Sequence, residues 1–202
     1  VHLIEKLSPL SNEISLLTGT SERLIELVKT QTVDIAIACT KKIDESFFAQ
    51  KYLFSEPSVL ALPKEPRFEK DFFTWEELRF CGLPFLRYNR FSGGSEMTEN
   101  FLNSLFIHLP NRIEVDDGGV MLKLICKGIG WSLVRPATLV QHPDLAAQVH
   151  FCKMPDPVMQ REVILIFGKS VNPELVDTVE TLSKSFYEAE LSKEFKKILQ
   201  QK

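Results

Sequence analysis

Apolar positions in this chain switch between a strand period and a helix period, and the switches come in a fixed order. In residues 13–39, EISLLTGTSERLIELVKTQTVDIAIAC, Ile14, Leu16 and then the run 33–38 are apolar and rich in β-branched residues, which predicts two strands. Between them Leu24, Ile25, Leu27 and Val28 recur at helical spacing, with Thr20 as the N-cap and Ser21 as the first helical residue. Two parallel strands joined by a helix need a right-handed crossover, and both faces of the resulting sheet must be covered. The pattern predicts an α/β fold.

The same order returns downstream. Residues 1–10 read as the end of a helix stopped by Pro9, and residues 47–54 and 58–63 as strands separated by Pro57. Residues 64–73 read as a charged linker, and Thr74 to Leu78 as a helical turn closed by a Thr74/Glu77 capping box. A second strand–helix–strand follows at 82–88, 95–107 and 112–115, the helix striped by Met97, Phe101, Leu102 and Leu105. Next come a turn at Asp116-Asp117-Gly118, a helix at 120–127, a strand at 129–134 and a short helix from Pro136. Strands at 149–154 and 161–167 precede a terminal helix opened by Pro173. Its apolar face (Leu175, Val179, Leu182, Phe186) loses register near Glu190, which predicts a separate helical piece beyond. This succession predicts two β/α lobes, residues 1–63 with 153–202 as lobe I and 64–152 as lobe II.

Composition narrows the functions. With 202 residues, 44% hydrophobic and 25% charged, the chain can bury a sizeable core. A net charge of −3 with scattered Lys and Arg is no nucleic-acid footprint. Cys39, Cys81, Cys126 and Cys152 lie far apart with no Cys or His at metal-ligand spacing, so the expectation is free thiols, no metal, no cofactor and a reducing, cytoplasmic setting. No apolar run approaches the ~20 residues of a membrane span, so no membrane association is expected.

Ligands of doubly wound sheets bind beyond the carboxyl ends of strands, where helix starts present free N–H groups. Loops 18–21, 89–95 and 116–119 hold that position. The segment Arg87-Tyr88-Asn89-Arg90-Phe91-Ser92-Gly93-Gly94-Ser95 places two guanidiniums, a phenol and a Gly-Gly ahead of a helix, a set able to hold a carboxylate or phosphate. Phe91, Val120 and Trp131 are available nearby for the body of a ligand. The same polar residues serve equally as helix caps, and Asp116 and Asp117 fit caps better than acid/base catalysts. His2, His108, His142 and His150 fall in separate elements, with no nucleophile beside them.

Three stretches carry a resemblance: LLTGTSERLIELVKTQTVDIAIA (16–38), SVLALPKEPRF (58–68) and LKLICKGIGWSLVRP (122–136). In order and spacing they resemble the effector-binding domain of LysR-type transcriptional regulators, with two Rossmann-like lobes and a hinge, like type II periplasmic binding proteins. Arg135 stands where that family usually has an aliphatic residue. The resemblance implies a non-enzymatic regulatory domain of a transcription factor that binds a small effector, expected to be anionic, in an interlobe cleft. It also implies a homodimer or tetramer, formed through a surface that includes the first predicted helix. DNA would be contacted only through an N-terminal winged helix-turn-helix domain absent from this chain. The expected effector contacts are Thr20, Ser21, Thr40, Tyr88, Arg90, Ser92 and Gly118. A solute-binding protein of a transport system shares the fold and is the alternative. A cysteine redox switch, as some members use, finds only faint support in Lys123 and Lys127 flanking Cys126.

Overall fold

The computed structural model describes residues 2–10, 13–39, 48–89, 93–109, 112–193 and 196. In chain order its elements are α1 (His2–Leu7), α2 (Ser21–Lys29), β1 (Ile35–Ala38), β2 (Phe48–Pro57), β3 (Val59–Pro63), α3 (Trp75–Arg79), β4 (Phe85–Tyr88), α4 (Gly93–Ser104) and β5 (Arg112–Val115). They continue with α5 (Gly118–Cys126), β6 (Ser132–Val134), α6 (Pro136–Gln141), α7 (Pro143–Ala146), β7 (Val149–Lys153), β8 (Gln160–Gly168) and α8 (Pro173–Phe186). The chain divides into two compact units, Val1–Ser55 with Glu162–Glu190 (unit 1) and Glu56–Arg161 with Leu191–Lys202 (unit 2).

Unit 1 is built on a sheet of order β1-β8-β2, with β1 antiparallel to β8 from Ile35 opposite Phe167 to Ala38 opposite Ile164. Successive strand side chains point to opposite faces, so each strand feeds two cores. Ala36, Ala38, Ile164 and Ile166 face α2 through Val28, Leu24 and Ile25. Ile35, Ile37, Val163 and Leu165 face Val176 and Val179 of α8 and Leu3 and Leu7 of α1. The Thr20 hydroxyl accepts the Arg23 N–H at 3.4 Å to start α2 as predicted.

The first predicted strand is not formed. Residues 13–20 have no regular structure, and Leu16 and Leu17 are 68% and 44% exposed. A strand needs a neighbour for its N–H and C=O groups. Among the described residues β1 has only β8, so the predicted parallel pair is absent. The register slip at the end of α8 is a π turn, Tyr187–Leu191. It seats the Tyr187 ring on Phe54, centroids 3.9 Å apart and nearly parallel, while its hydroxyl donates to the Ser55 carbonyl at 2.9 Å.

Unit 2 is centred on β3, which lies antiparallel between β6 and β7 with every residue buried. β4 and β5 form a parallel pair, Tyr88 opposite Val115. That pair joins the first sheet at Trp131, whose carbonyl accepts the Leu86 N–H at 2.8 Å and whose N–H donates to the Pro84 carbonyl at 3.1 Å. A close approach there demands glycine. A Cβ on Gly130 would lie 2.6 Å from both the Pro84 carbonyl oxygen and a Leu86 methyl. Burying each large apolar side chain contributes about 1.5–3 kcal/mol, and Trp131, Phe85, Leu60, Leu62 and Leu78 are all fully buried in one cluster.

Phe68 and Phe73 belong to that cluster, so residues 64–73 are part of unit 2's core rather than a linker. The divisions between units accordingly fall at Ser55/Glu56 and Arg161/Glu162, outward of 63/64 and 152/153. The two chain segments at this boundary are fastened to each other. The Ser58 N–H donates to the Met159 carbonyl at 2.8 Å, and Arg161 donates to the buried Glu56 carboxylate.

Candidate functional site

The carboxyl ends of β4, β5 and β6 point the same way, because β5 and the start of β6 both run parallel to β4. Three chain turns therefore gather at one end of unit 2's sheet. Tyr88 ends β4, Asp116 to Gly119 lead from β5 into α5, and Arg135 to Thr138 lead from β6 into α6. β3 runs antiparallel to β6, which brings its first neighbour, Ser58, to the same end.

Gly118 is the meeting point. A Cβ there would sit 2.7 Å from the Thr138 methyl, 3.3 Å from the Thr138 hydroxyl and 3.3 Å from the Tyr88 hydroxyl. Glycine is required for this approach, and it brings two hydroxyls against the start of α5. At the next residue a Cβ on Gly119 would meet the His142 ring at 2.9 Å. Asp117 caps α5 as the sequence suggests, its carboxylate accepting the Val120 N–H at 2.8 Å.

Of the expected contacts, Tyr88 and Gly118 are brought together here. Thr20 and Ser21 lie in unit 1 at the start of α2, where the Ser21 hydroxyl accepts the Cys39 N–H at 3.0 Å and so ties the end of β1 to the helix. Thr40, Arg90 and Ser92 lie outside the described residues, as does Phe91.

Two other expectations change. Arg87 is committed inside the fold: it donates to Glu99 at 3.0 Å and to Glu114, two hydrogen bonds that hold its charge against carboxylates of α4 and β5. The bonds it donates to them, that to Glu114 foremost, raise the pKa of the guanidinium further. Trp131 is 1% exposed and packs on Phe85 at 4.9 Å, so it fills the core and offers no surface to a ligand. Val120 is 43% exposed and remains available.

Sequence reading named neither Thr138 nor His142 as neighbours of the α5 start, and gave Arg135 only as a departure from the family. Only Thr138 lies within α6; Arg135 and His142 are its N-cap and C-cap with non-helical backbone, so no helical spacing pointed to them. Arg135 is 6% exposed, and its guanidinium donates to the Ser58 hydroxyl and lies 3.8 Å from the Met97 sulfur of α4.

The thiols are set for packing. Burial pushes the Cys81 and Cys126 pKa up and raises that of Cys152 to about 12, so all three stay protonated at neutral pH. The lysines beside Cys126 do not offset this. Among the described residues no three His, Cys, Asp or Glu side chains group as metal ligands would, and no helix is long and apolar enough to cross a membrane.

Comparison with known proteins gives a consistent result. A family model described as LysR substrate binding domain matches residues 11–183. No curated protein matches the sequence. Among solved structures, the reduced OxyR regulatory domain from Pseudomonas aeruginosa aligns at 18% identity and a TM-score of 0.70, covering 91% of this chain and 89% of that one. The Synechocystis PCC6803 CcmR regulatory domain, solved in complex with 2-PG, aligns at 15% identity and a TM-score of 0.74, covering 90% and 89%. A cysteine mutant of OxyR from Corynebacterium glutamicum aligns at 12% identity and a TM-score of 0.81 over 100% of this chain, which spans 63% of that longer protein. At these identities the likeness is one of fold.

Proposed function

Because the chain belongs to the LysR substrate binding domain family, we propose that it senses a small, anionic effector at the strand ends of unit 2, with Tyr88, Gly118 and Thr138 in contact with it. The family is one of effector-sensing regulatory domains of transcription factors, with the fold of periplasmic binding proteins, and is not an enzyme family in general. Transport is the less favoured use of this fold.

One observation carries the placement. Three parallel strand ends bring two hydroxyls and a glycine-lined helix start to one point, the arrangement that doubly wound sheets use for ligands. Arg90 and Ser92 follow β4 in sequence and belong to the same proposed set. In unit 1, Thr20, Ser21 and Thr40 follow the corresponding positions and form the second place to test.

We further propose that the full regulator is cytoplasmic, pairs as a homodimer or tetramer with α2 in the interface, and contacts DNA through a separate winged helix-turn-helix domain. A thermal-shift screen of small carboxylates beside their neutral amides tests the effector class. Acids are expected to raise the melting temperature, with the Gly118 amide resonance moving in the same titration. Stabilisation by neutral compounds alone would overturn the anionic assignment.

A further inference from the structure

We propose that His142 makes effector binding pH-dependent: its imidazolium, formed in mildly acidic medium, holds an anionic effector at the start of α5, and the neutral ring releases it; this rests on the reading of unit 2's strand ends as the effector site. Histidine is the side chain whose ordinary change of charge falls between about pH 5 and pH 8, a window in which ordinary carboxylates, lysines and arginines keep theirs.

Three histidines of unit 2 divide by what their rings hold. A ring nitrogen of His150 lies 2.9 Å from the Lys70 carbonyl oxygen, and one of His108 lies 3.2 Å from that of Phe106, so backbone groups claim both rings. For the His142 ring the described residues supply no such bond. It lies instead against the first turn of α5, where a Cβ on the buried Gly119 would stand 2.9 Å from its Cε1 and 3.0 Å from its Nε2. The neighbouring Gly118 is the point at which the Tyr88 and Thr138 hydroxyls meet.

The charges around the ring set the direction of the effect. The first turn of a helix carries partial positive charge, which opposes an imidazolium while the site is empty; an anion seated there reverses the sign. From the cap of α5 the Asp117 carboxylate faces the ring, its Oδ1 3.1 Å from the same point on Gly119, and it repels an arriving anion. The imidazolium offsets that repulsion and the neutral ring does not. From β4, Arg87 is held by Glu99 and Glu114. Arg135, the N-cap of α6, stays protonated throughout and so adds no pH dependence, and α6 itself has no charged residue. Asp116, Lys123 of α5 and Asp144 of α7 are exposed, where water and salt screen them. Proton and anion therefore bind cooperatively, each raising the affinity for the other by the same factor.

The test measures binding of inorganic sulfate and of phenylacetate, with phenylacetamide as the neutral counterpart, on wild type and His142→Gln at constant ionic strength. Both anions stay ionised between about pH 5.5 and pH 8, the two ends of the histidine range at which binding is compared. Wild type is expected to bind at least one anion about threefold or more tighter at the lower pH. Phenylacetamide binds equally at both, and His142→Gln binds the anion equally at both. In wild type at about pH 6.5 the His142 Cε1–H resonance moves downfield, as protonation requires, on adding the anion and stays on adding phenylacetamide, a reading that needs no folded variant. Equal anion affinity of wild type at both pH values with the Gly118 N–H resonance moving, or a pH dependence that persists in His142→Gln or is shared by phenylacetamide, overturns the role of His142 and leaves the effector site standing. An anion that binds while the Gly118 and His142 resonances stay fixed, or no binding of any probe to wild type, overturns that role together with the site.

Discussion

A central strand of unit 2 and an edge strand of unit 1 meet different surroundings. In unit 2, β3 has a strand on each side and a core on both faces, and Leu60, Ala61 and Leu62 are fully buried. In unit 1, β1 ends its sheet among the described residues, and Ile35 and Ile37 keep partial exposure. A polar strand edge beside a half-covered face loses less when a side chain is removed, because less packing is interrupted. β3 is therefore the more tightly held of the two strands, and its unit carries the proposed site.

The sharpest way to break this contrast is deletion of a core side chain in each unit. Trp131→Ala should cost about 3–5 kcal/mol in urea unfolding, and Ile37→Ala about 1–2 kcal/mol, because a half-buried side chain leaves a smaller cavity. Equal losses would show the two positions to be equally packed. Ion pairs give the next largest difference. Glu56→Gln leaves the Arg161 charge without its carboxylate and should cost about 2–3 kcal/mol, under the range for fully buried pairs because Arg161 is about a quarter exposed. In unit 1, Lys51 bridges Asp177 at 2.6 Å and Glu180 at 2.7 Å on an open surface; Lys51→Ala should cost clearly less than Glu56→Gln, and less still in salt.

Helix caps sharpen the comparison at about 1 kcal/mol each. Asp117→Ala should exceed Thr20→Ala, since the Asp117 bond is a charged one at 2.8 Å and the Thr20 bond a neutral one at 3.4 Å. The smallest effect is a pH response confined to unit 2. The Lys70 ammonium, followed by the Thr74 N–H, holds the Glu77 carboxyl well below its ordinary value of 4.5, at about 2. A lowered folded pKa means that the capping box is at full strength above pH 4.5 and is lost as pH falls towards 2. The Thr74 amide resonance should report that loss while the Arg23 amide in unit 1 stays fixed.

Most elements were legible because their periodicity and caps are local. Thr20 and Thr74 each cap a helix as the sequence reads them, and Pro173 opens α8. Pairing was not legible, because it depends on residues far along the chain. Ile14 and Leu16 read as a strand by composition, yet β1 is paired with residues 164–167, and among the described residues no strand pairs with the earlier segment. Burial misled in the same way at Trp131, where an aromatic beside a loop turned out to fill the core, and at Phe68 and Phe73, hidden in a charged stretch. At the site, Gly118 and Tyr88 were readable from loop position. Thr138 and Arg135 were not, because only the sheet order brings α6 across the start of α5.

The division at Ser55/Glu56 and Arg161/Glu162 also sets an order of events during synthesis. The sheet of unit 2 is encoded in one uninterrupted stretch, whereas unit 1 lacks β8 and α8 until residues up to 186 have left the ribosome. Domains fold as units in the order in which they emerge. The nascent chain therefore carries Val28, Ala36 and Phe48 uncovered while the middle of the protein is already folded, and the strand that covers them arrives last. A stop codon between Glu162 and Gly168 would release unit 2 with its sheets encoded in full, attached to an open, apolar half-sheet, a substrate for chaperones and proteases.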